Sequence, residues 1–279
     1  MTQPLPLWPH LQAVLQRLIA SEWCALLLDY DGTLTPFVTD PATAYLSPAM
    51  QQILTALGHH PRYQVAMVSG RALADLQGRA AGLALYMAGN HGLQIVGPET
   101  EYCHPEAVHL QSLMRILVQG LQQELEPIPG AWVEDKGLTL TVHTRAVPTA
   151  YVPLVQRRVL RLLRSALEAR TLVLRTGKAV LEVRPAIKWD KGSALRWIVD
   201  HMCLKGSASH MCPVYIGDDE TDEDAFQALG DAGLGILVGC DRLSSAAHYY
   251  VESVEQTMQF LAMLSGLTWP TQPYGEGRG

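Results

Sequence analysis

Three times along this chain a short, wholly apolar run ends in a polar turn and gives way to a helical pattern. Cys24–Leu28 (CALLL) runs into Asp29–Leu34 (DYDGTL), Tyr63–Val68 (YQVAMV) into Ser69-Gly70-Arg71, and Pro213–Ile216 (PVYI) into Gly217-Asp218-Asp219. Runs without polar alternation suit strands buried on both faces, so the repeat predicts a parallel α/β sheet flanked by helices. Upstream, Leu11, Val14, Leu15, Leu18 and Ile19 recur at helical spacing.

The middle of the chain follows another rhythm. Leu110, Leu113, Met114, Leu117 and Leu121 predict an amphipathic helix, followed by short strands at Ala131–Glu134 and Leu138–His143. Val152, Val155, Val159, Leu162 and Ala166 predict a second helix, followed by strands at Thr171–Leu174 and Ala179–Val183. Helix-strand-strand twice over implies an α+β module with an antiparallel sheet, inserted between two halves of the parallel core. The expected boundaries are core 1–99, inserted module 100–185, core 186–265 and a flexible Gly- and Pro-rich tail 266–279. The row Arg157, Arg158, Arg161 and Arg164 on the second helix reads as a solvated face.

Composition narrows the classes of function. Apolar residues make up 48% of the 279 positions and charged residues 17%, enough for a sizeable core. The net charge of -6 argues against a broad nucleic-acid or anionic-membrane surface. No apolar run approaches the roughly 18–20 residues of a membrane span. The start, MTQPLPLWPH, lacks the basic-then-apolar pattern of a secretory signal. Five cysteines, odd in number and without a CxxC pair, read as reduced thiols. A cytoplasmic protein is the expectation.

In an open α/β sheet, ligands sit beyond the carboxyl ends of the strands, so the three polar turns would converge on one site. Asp218, Asp219, Glu220, Asp222, Glu223 and Asp224 crowd six carboxylates into one of them. Such like charges repel unless solvent or a cation relieves them, and a hard divalent cation such as Mg²⁺ favours oxygen ligands. Glu220, Glu223 and Asp224 read as helix-opening acids that favour the positive end of a helix dipole. Asp218, directly after a buried strand, reads as functional. Asp29 and Asp31, two apart, would point the same way at a strand end, one carboxylate attacking an electrophile while its neighbour handles the proton. Lys191 opens the helix that leads back into the core, where it would balance a phosphoryl group or simply face solvent.

Asp29-Tyr30-Asp31-Gly32-Thr33-Leu34, Ser69-Gly70-Arg71, Lys191-Gly192 and Gly217-Asp218-Asp219-Glu220-Thr221-Asp222 resemble, in order, the four motifs of haloacid-dehalogenase-type phosphatases. Gly89-Asn90-His91-Gly92, Val133-Glu134-Asp135-Lys136-Gly137 and Leu181-Glu182-Val183-Arg184-Pro185 extend the resemblance to trehalose-6-phosphate phosphatases, over about Ala25 to Leu264. The resemblance implies a Rossmann-like core with a parallel sheet and an inserted α+β cap domain with an antiparallel sheet. It implies Asp29 as nucleophile, Asp31 as general acid and base, and Ser69 and Lys191 holding the phosphoryl oxygens. It implies Mg²⁺ on Asp29, the Asp31 carbonyl and Asp218, with Asp222 bound directly or through water. It further implies that Arg71, Asn90, His91, Glu134, Lys136 and Glu182 bind the substrate. The partner is then a small-molecule sugar phosphate, with a functional link to a trehalose-phosphate synthase, no nucleic acid and no membrane, and the enzyme a monomer.

Three rival readings compete with this one. Sucrose-, glucosylglycerol- or mannosylglycerate-type phosphatases would keep the mechanism and change the sugar. A silent regulatory domain would typically lack the nucleophile or a metal acid, whereas Asp29, Asp31, Lys191 and Asp218 are all present. A nucleotide-binding protein is set aside because the chain has no GxxxxGK[ST].

Overall fold

The computed structural model describes residues 3–38, 40–177, 179–203, 211–240 and 244–267. The described chain divides into two compact units: residues 1–68, 77–87 and 191–279, and residues 69–76 and 88–190.

In the first unit the strands are β1 (Leu5–Pro6), β2 (Trp23–Leu28), β3 (Tyr63–Val68), the start of β4 (Tyr86–Gly89), and, after the second unit's β5 (Gln94–Gly97) to β10 (Val180–Pro185), β11 (Met211–Gly217), β12 (Leu234–Val238) and β13 (Tyr249–Val251). Six of them form one parallel array in the order β1-β13-β12-β11-β2-β3. β2 is buried along its whole length, with hydrogen-bonded neighbours on both edges, and its sequence is accordingly a continuous apolar run. Its neighbour β11 sits in register Val214↔Leu26 and Ile216↔Leu28, so Asp29 and Asp218 leave adjacent strands at the same end. The backbone N–H of Asp29 completes that ladder on Ile216 O at 2.9 Å.

The first unit's helices are α1 (Leu11–Ala20), α2 (Pro48–His59), the second half of α3 (Leu73–Arg79), and, after the second unit's α4 (Pro105–His109), α5 (Gln111–Leu125) and α6 (Val152–Glu168), α7 (Lys191–Cys203), α8 (Glu223–Leu229) and α9 (Val254–Ser265). Ser47 and Ser253 cap α2 and α9 in the usual way, each accepting from a backbone N–H in the first turn.

The second unit holds the hairpin β5–β6, with β6 at Thr100–Cys103, in antiparallel register Gln94↔Cys103. It continues with α4 (Pro105–His109), α5 (Gln111–Leu125), β7 (Trp132–Asp135), β8 (Leu140–His143), α6 (Val152–Glu168), β9 (Leu172–Gly177) and β10. The last four strands pair antiparallel in the order β7-β8-β10-β9. One face of this sheet, carrying Val133, Leu140, Val142, Leu181 and Val183, packs on Met114, Leu117 and Leu121 of α5 and Val155, Val159 and Leu163 of α6. The other face carries Glu134, Thr141 and Glu182, which the register sets in one row across three strands.

The mixed architecture, parallel α/β plus a separate antiparallel sheet with its own helices, is the one the sequence implied. The contact division differs from the expected boundaries at 99/100 and 185/186. It gives residues 88–99 to the second unit because Asn90 is hydrogen-bonded to Thr139 and Lys136. The hairpin β5–β6 went unforeseen because each of its strands is only 4 residues long. Of the expected tail 266–279, Gly266 closes α9 in a left-handed conformation, and residues 268–279 lie outside the described residues. Among the described residues, no helix is long and apolar enough to cross a membrane. The row of arginines on α6 lies on its outward side, where Arg161 meets Glu124 at 2.6 Å while remaining two-thirds exposed.

Candidate active site

In the first unit, two strand ends and one helix start deliver charge to one place. Asp29 follows β2, Asp218 follows β11, and Asp222 closes the single turn of helix capped by Asp219. Each of the three offers a carboxylate oxygen within 4.8 Å of the others. Lys191, the first residue of α7, lies among them only 2% exposed, so the reading of a solvent-facing helix-start lysine does not hold. Its Nζ donates to Asp29 Oδ1 and to Asp222 Oδ1, both at 2.7 Å. An ammonium has three donors, so among the described residues one remains for a ligand.

Asp222 is completely buried, and all four of its acceptor positions are taken. Oδ1 receives Lys191 and the hydroxyl of Tyr215 at 2.6 Å, while Oδ2 receives the backbone N–H groups of Asp218 and Asp219, both at 2.9 Å. Asp29 and Asp218 are less committed. Among the described residues Asp29 accepts only Lys191, and Asp218 accepts Thr33 Oγ1 at 3.3 Å.

The electrostatics follow from three carboxylates sharing one ammonium. Burial, then repulsion from Asp222 and Asp219, pushes Asp218 up to about 7, against the pull of Lys191 and Thr33. Burial also raises Asp29 well above the carboxylate range, with Lys191 opposing and Asp222, Asp218 and Asp219 adding to the rise. Lys191 is raised well above its ordinary value because Asp222 and Asp29 overcome its own desolvation. Three negative groups against one positive leave room for a divalent cation, and the free donors are hard carboxylate oxygens of the kind magnesium takes.

Asp31 is partly exposed, two residues beyond Asp29. Between Asp29 and the following turn, Gly32 adopts φ +85°, and a Cβ built there would lie 2.5 Å from the carboxyl carbon of Asp218. The glycine is needed twice, for the left-handed turn and for the close approach of the acid.

In the second unit, Ser69 begins the polar turn with its side chain buried and its Oγ accepting from the Arg71 N–H at 3.2 Å. Arg71 pairs with Asp75 at 2.8 Å. Asn90 and His91 both hold positive φ, 51° and 56°, a conformation that costs non-glycine residues free energy and clusters at functional sites. The Asn90 amide is spent inside the protein: Nδ2 donates to Gln94 Oε1 and Lys136 O, and Oδ1 accepts from Thr139 at 2.7 Å. His91 Nε2 lies 3.1 Å from Glu182 Oε1, and Arg184 bonds the other carboxylate oxygen of Glu182. His91, then Arg184 and Lys136, hold Glu182 far below the usual carboxylate range despite its burial. Lys136 Nζ donates to Gly70 O at 3.1 Å. Glu134 accepts from His143 Nε2 at 2.8 Å, which together with Lys136 keeps it lowered against the effect of burial.

Thus the expected residues fall into two sets, Asp29, Asp31, Lys191, Asp218 and Asp222 in one unit, and Ser69, Arg71, Asn90, His91, Glu134, Lys136 and Glu182 in the other. Sequence reasoning missed Tyr215, because a tyrosine within an apolar strand run looks like core. The family model described as trehalose-phosphatase matches residues 27–255. The chain belongs to the trehalose-phosphatase family. It is 35% identical over 246 residues to trehalose-phosphate phosphatases of Mycobacterium bovis and Mycobacterium tuberculosis, covering 86% of this chain and 61% of theirs. It therefore spans less than two thirds of those relatives. A trehalose 6-phosphate phosphatase of Zea mays is 36% identical, over 89% of this chain and 71% of the relative. The C-terminal domain of the C. albicans trehalose-6-phosphate phosphatase superposes with a TM-score of 0.76 at 25% identity, covering 95% of this chain and 99% of that structure.

Proposed function

We propose that this member of the trehalose-phosphatase family is a magnesium-dependent phosphatase that converts trehalose 6-phosphate into trehalose and phosphate through an aspartyl-phosphate on Asp29. The observation that carries the chemistry is the buried Asp29 carboxylate, fixed at the end of β2 by Lys191 with one oxygen uncommitted. The substrate assignment rests on the matched family and on the carboxylate and amine groups of Glu134, Lys136 and Glu182.

Asp29 attacks phosphorus as the bond from phosphorus to the sugar oxygen breaks, and Asp31 gives its proton to that oxygen. Asp31 then takes a proton from water as the water attacks the phosphoryl group, which releases phosphate and restores Asp29. The third donor of Lys191 and the hydroxyl of Ser69 hold the phosphoryl oxygens as charge builds on them. Asp29 and Asp218, whose carboxylates are only partly engaged among the described residues, would hold the cation together with the carbonyl of Asp31. Asp222, with no acceptor position left, instead positions Lys191. When bound, the ion supplies the positive charge that lets an anionic carboxylate approach an anionic ester.

In the inserted unit, which we read as the cap, Glu134, Lys136 and Glu182 would bind sugar hydroxyls. Asn90 serves there as a clip for the Lys136 backbone, not as a sugar contact, and His91 orients Glu182. A cytoplasmic monomer acting on the product of a trehalose-phosphate synthase is the setting that fits. Phosphate release from a panel of sugar phosphates, with Mg²⁺ and again with chelator, tests the whole reading. Preference for trehalose 6-phosphate that chelation abolishes is expected. Release from a different sugar would overturn the substrate, and no release from any would overturn the chemistry.

A further inference from the structure

The strand β7 leaves a tryptophan where neither a core nor a solvated surface accounts for it. Val133 faces α5 and α6, so Trp132 and Glu134 share the opposite, polar face of the sheet. Trp132 is 48% exposed, among the more exposed large apolar side chains described. Yet it is not a loose surface group. Its ring lies flat on the imidazole of His143, directly across the ladder, with centroids 3.8 Å apart and planes 2° from parallel. His143 is in turn fixed by Glu134 at 2.8 Å. One side of the indole is therefore backed by a held ring, and the exposure belongs to the rest.

One register step away, Thr141 stands between Glu134 and Glu182 in the same row, 4% exposed. Its Oγ1 is buried with no hydrogen-bond partner among the described residues. A buried hydroxyl left unpaired costs about 1–3 kcal/mol, and an exposed indole forgoes the gain of burying its area. A single kind of ligand relieves both, one with a flat apolar face and hydroxyls at its rim. A pyranose ring is such a ligand, with C–H groups to lie on the indole. Diagonal neighbours on a sheet face sit about 7–8 Å apart, a gap that a six-membered ring bridges. The carboxylates of Glu134 and Glu182 on either side of Thr141 disfavour a phosphate at this spot.

We propose that Trp132, backed by His143, is a stacking platform for an uncharged pyranose ring whose hydroxyls meet Thr141 and Glu134. This rests on the sugar-phosphate reading above and adds a specificity residue to it.

The test compares the wild type with Trp132→Ala, Trp132→Leu and Trp132→Phe, using trehalose 6-phosphate and 4-nitrophenyl phosphate as substrates. Binding of trehalose itself is followed by calorimetry, which needs no turnover. Expected are a rise in KM for trehalose 6-phosphate of about tenfold for the alanine and leucine variants, kcat changing far less, and a much smaller loss on the aryl phosphate. Phenylalanine should restore most of the KM, and trehalose binding should weaken in parallel. Equal losses on both substrates, an unchanged KM in the alanine variant, or rescue by leucine as complete as by phenylalanine would overturn the platform. If the wild type binds trehalose through Trp132 but releases no phosphate, the platform stands and the phosphatase reading falls. If phosphate is released and the alanine variant binds trehalose as the wild type does, the platform alone falls.

Discussion

Tyr215 donates its hydroxyl to Asp222 Oδ1 at 2.6 Å, and neither residue reaches solvent. The bond fills the last acceptor position on the carboxylate that holds Lys191, so a strand-core aromatic helps aim the ammonium facing Asp29. Replacing Tyr215 by Phe keeps the ring against Phe226 and removes only this donor. Stability should fall by about 1.5–3 kcal/mol, the range for hydrogen bonds to charged groups. Denaturant unfolding reads that loss, and turnover should fall with it because Lys191 is less firmly placed. An unchanged unfolding midpoint would contradict the account.

Asp29→Asn should lower phosphate release about ten-thousand-fold while the far-ultraviolet dichroism stays that of the wild type. The amide cannot attack phosphorus, so no phosphorylated protein should accumulate on mixing with substrate. Full activity in this variant would remove Asp29 from the mechanism.

Chelation should bring phosphate release to background, and added Mg²⁺ should restore it. Asp218→Asn, which removes one of the less committed carboxylates, should raise the Mg²⁺ concentration needed for half-maximal rate. Asp222→Asn should act differently, lowering the maximal rate even at saturating Mg²⁺, because its oxygens are occupied by Lys191, Tyr215 and two backbone donors. Metal titrations of the two variants distinguish them, and identical behaviour would count against the division of roles.

Lys136→Ala should lower kcat/KM for trehalose 6-phosphate at least about tenfold more than for a small aryl phosphate, which has no sugar to recognise. The same split should appear for Glu182→Ala. Matching losses on both substrates would speak against sugar recognition by this sheet face.

The pH dependence of stability carries a sign that Glu182 sets. Its folded value is depressed, by His91 above all and then by Arg184 and Lys136, below an ordinary value of 4.5. The unfolded chain binds a proton there before the folded one does, so the contribution is fully present above about pH 4.5 and is lost as pH falls toward the folded value. Glu182→Gln should therefore be less stable than the wild type from pH 7 to 5, with the gap closing below pH 4.5. Urea midpoints taken down to pH 3 test this, and a gap that stays constant would refute it.

Much of the core was legible because its determinants are local. A strand with neighbours on both edges and helices on both faces must be apolar throughout, so CALLL and PVYI announced themselves, and the acids after them marked the strand ends. Lys191 was less legible. Alone on a helix start it resembles any solvated lysine, and its burial comes from two carboxylates 162 and 31 residues away. Asn90 reads as a ligand contact through the family resemblance alone, and its amide meets Thr139 and Lys136 only through tertiary folding. The Trp132–His143 stack depends on the register of a hairpin, which composition does not encode.

The backbone passes between the two compact units four times, at 68–69, 76–77, 87–88 and 190–191. No single cut-and-join therefore separates them. Removing residues 88–190 would strand Ser69–Leu76 on a body to which their packing does not belong. Two of the crossings also abut residues assigned to the phosphoryl group, since Ser69 is the first residue past one and Lys191 the first past another. Exchange of this insert for a different one, whether by recombination or by design, must restore four chain crossings, not two. On the sugar-phosphate reading proposed above, new sugar specificity would be reached more readily by changing side chains on the Glu134–Thr141–Glu182 face of the antiparallel sheet than by swapping the unit whole.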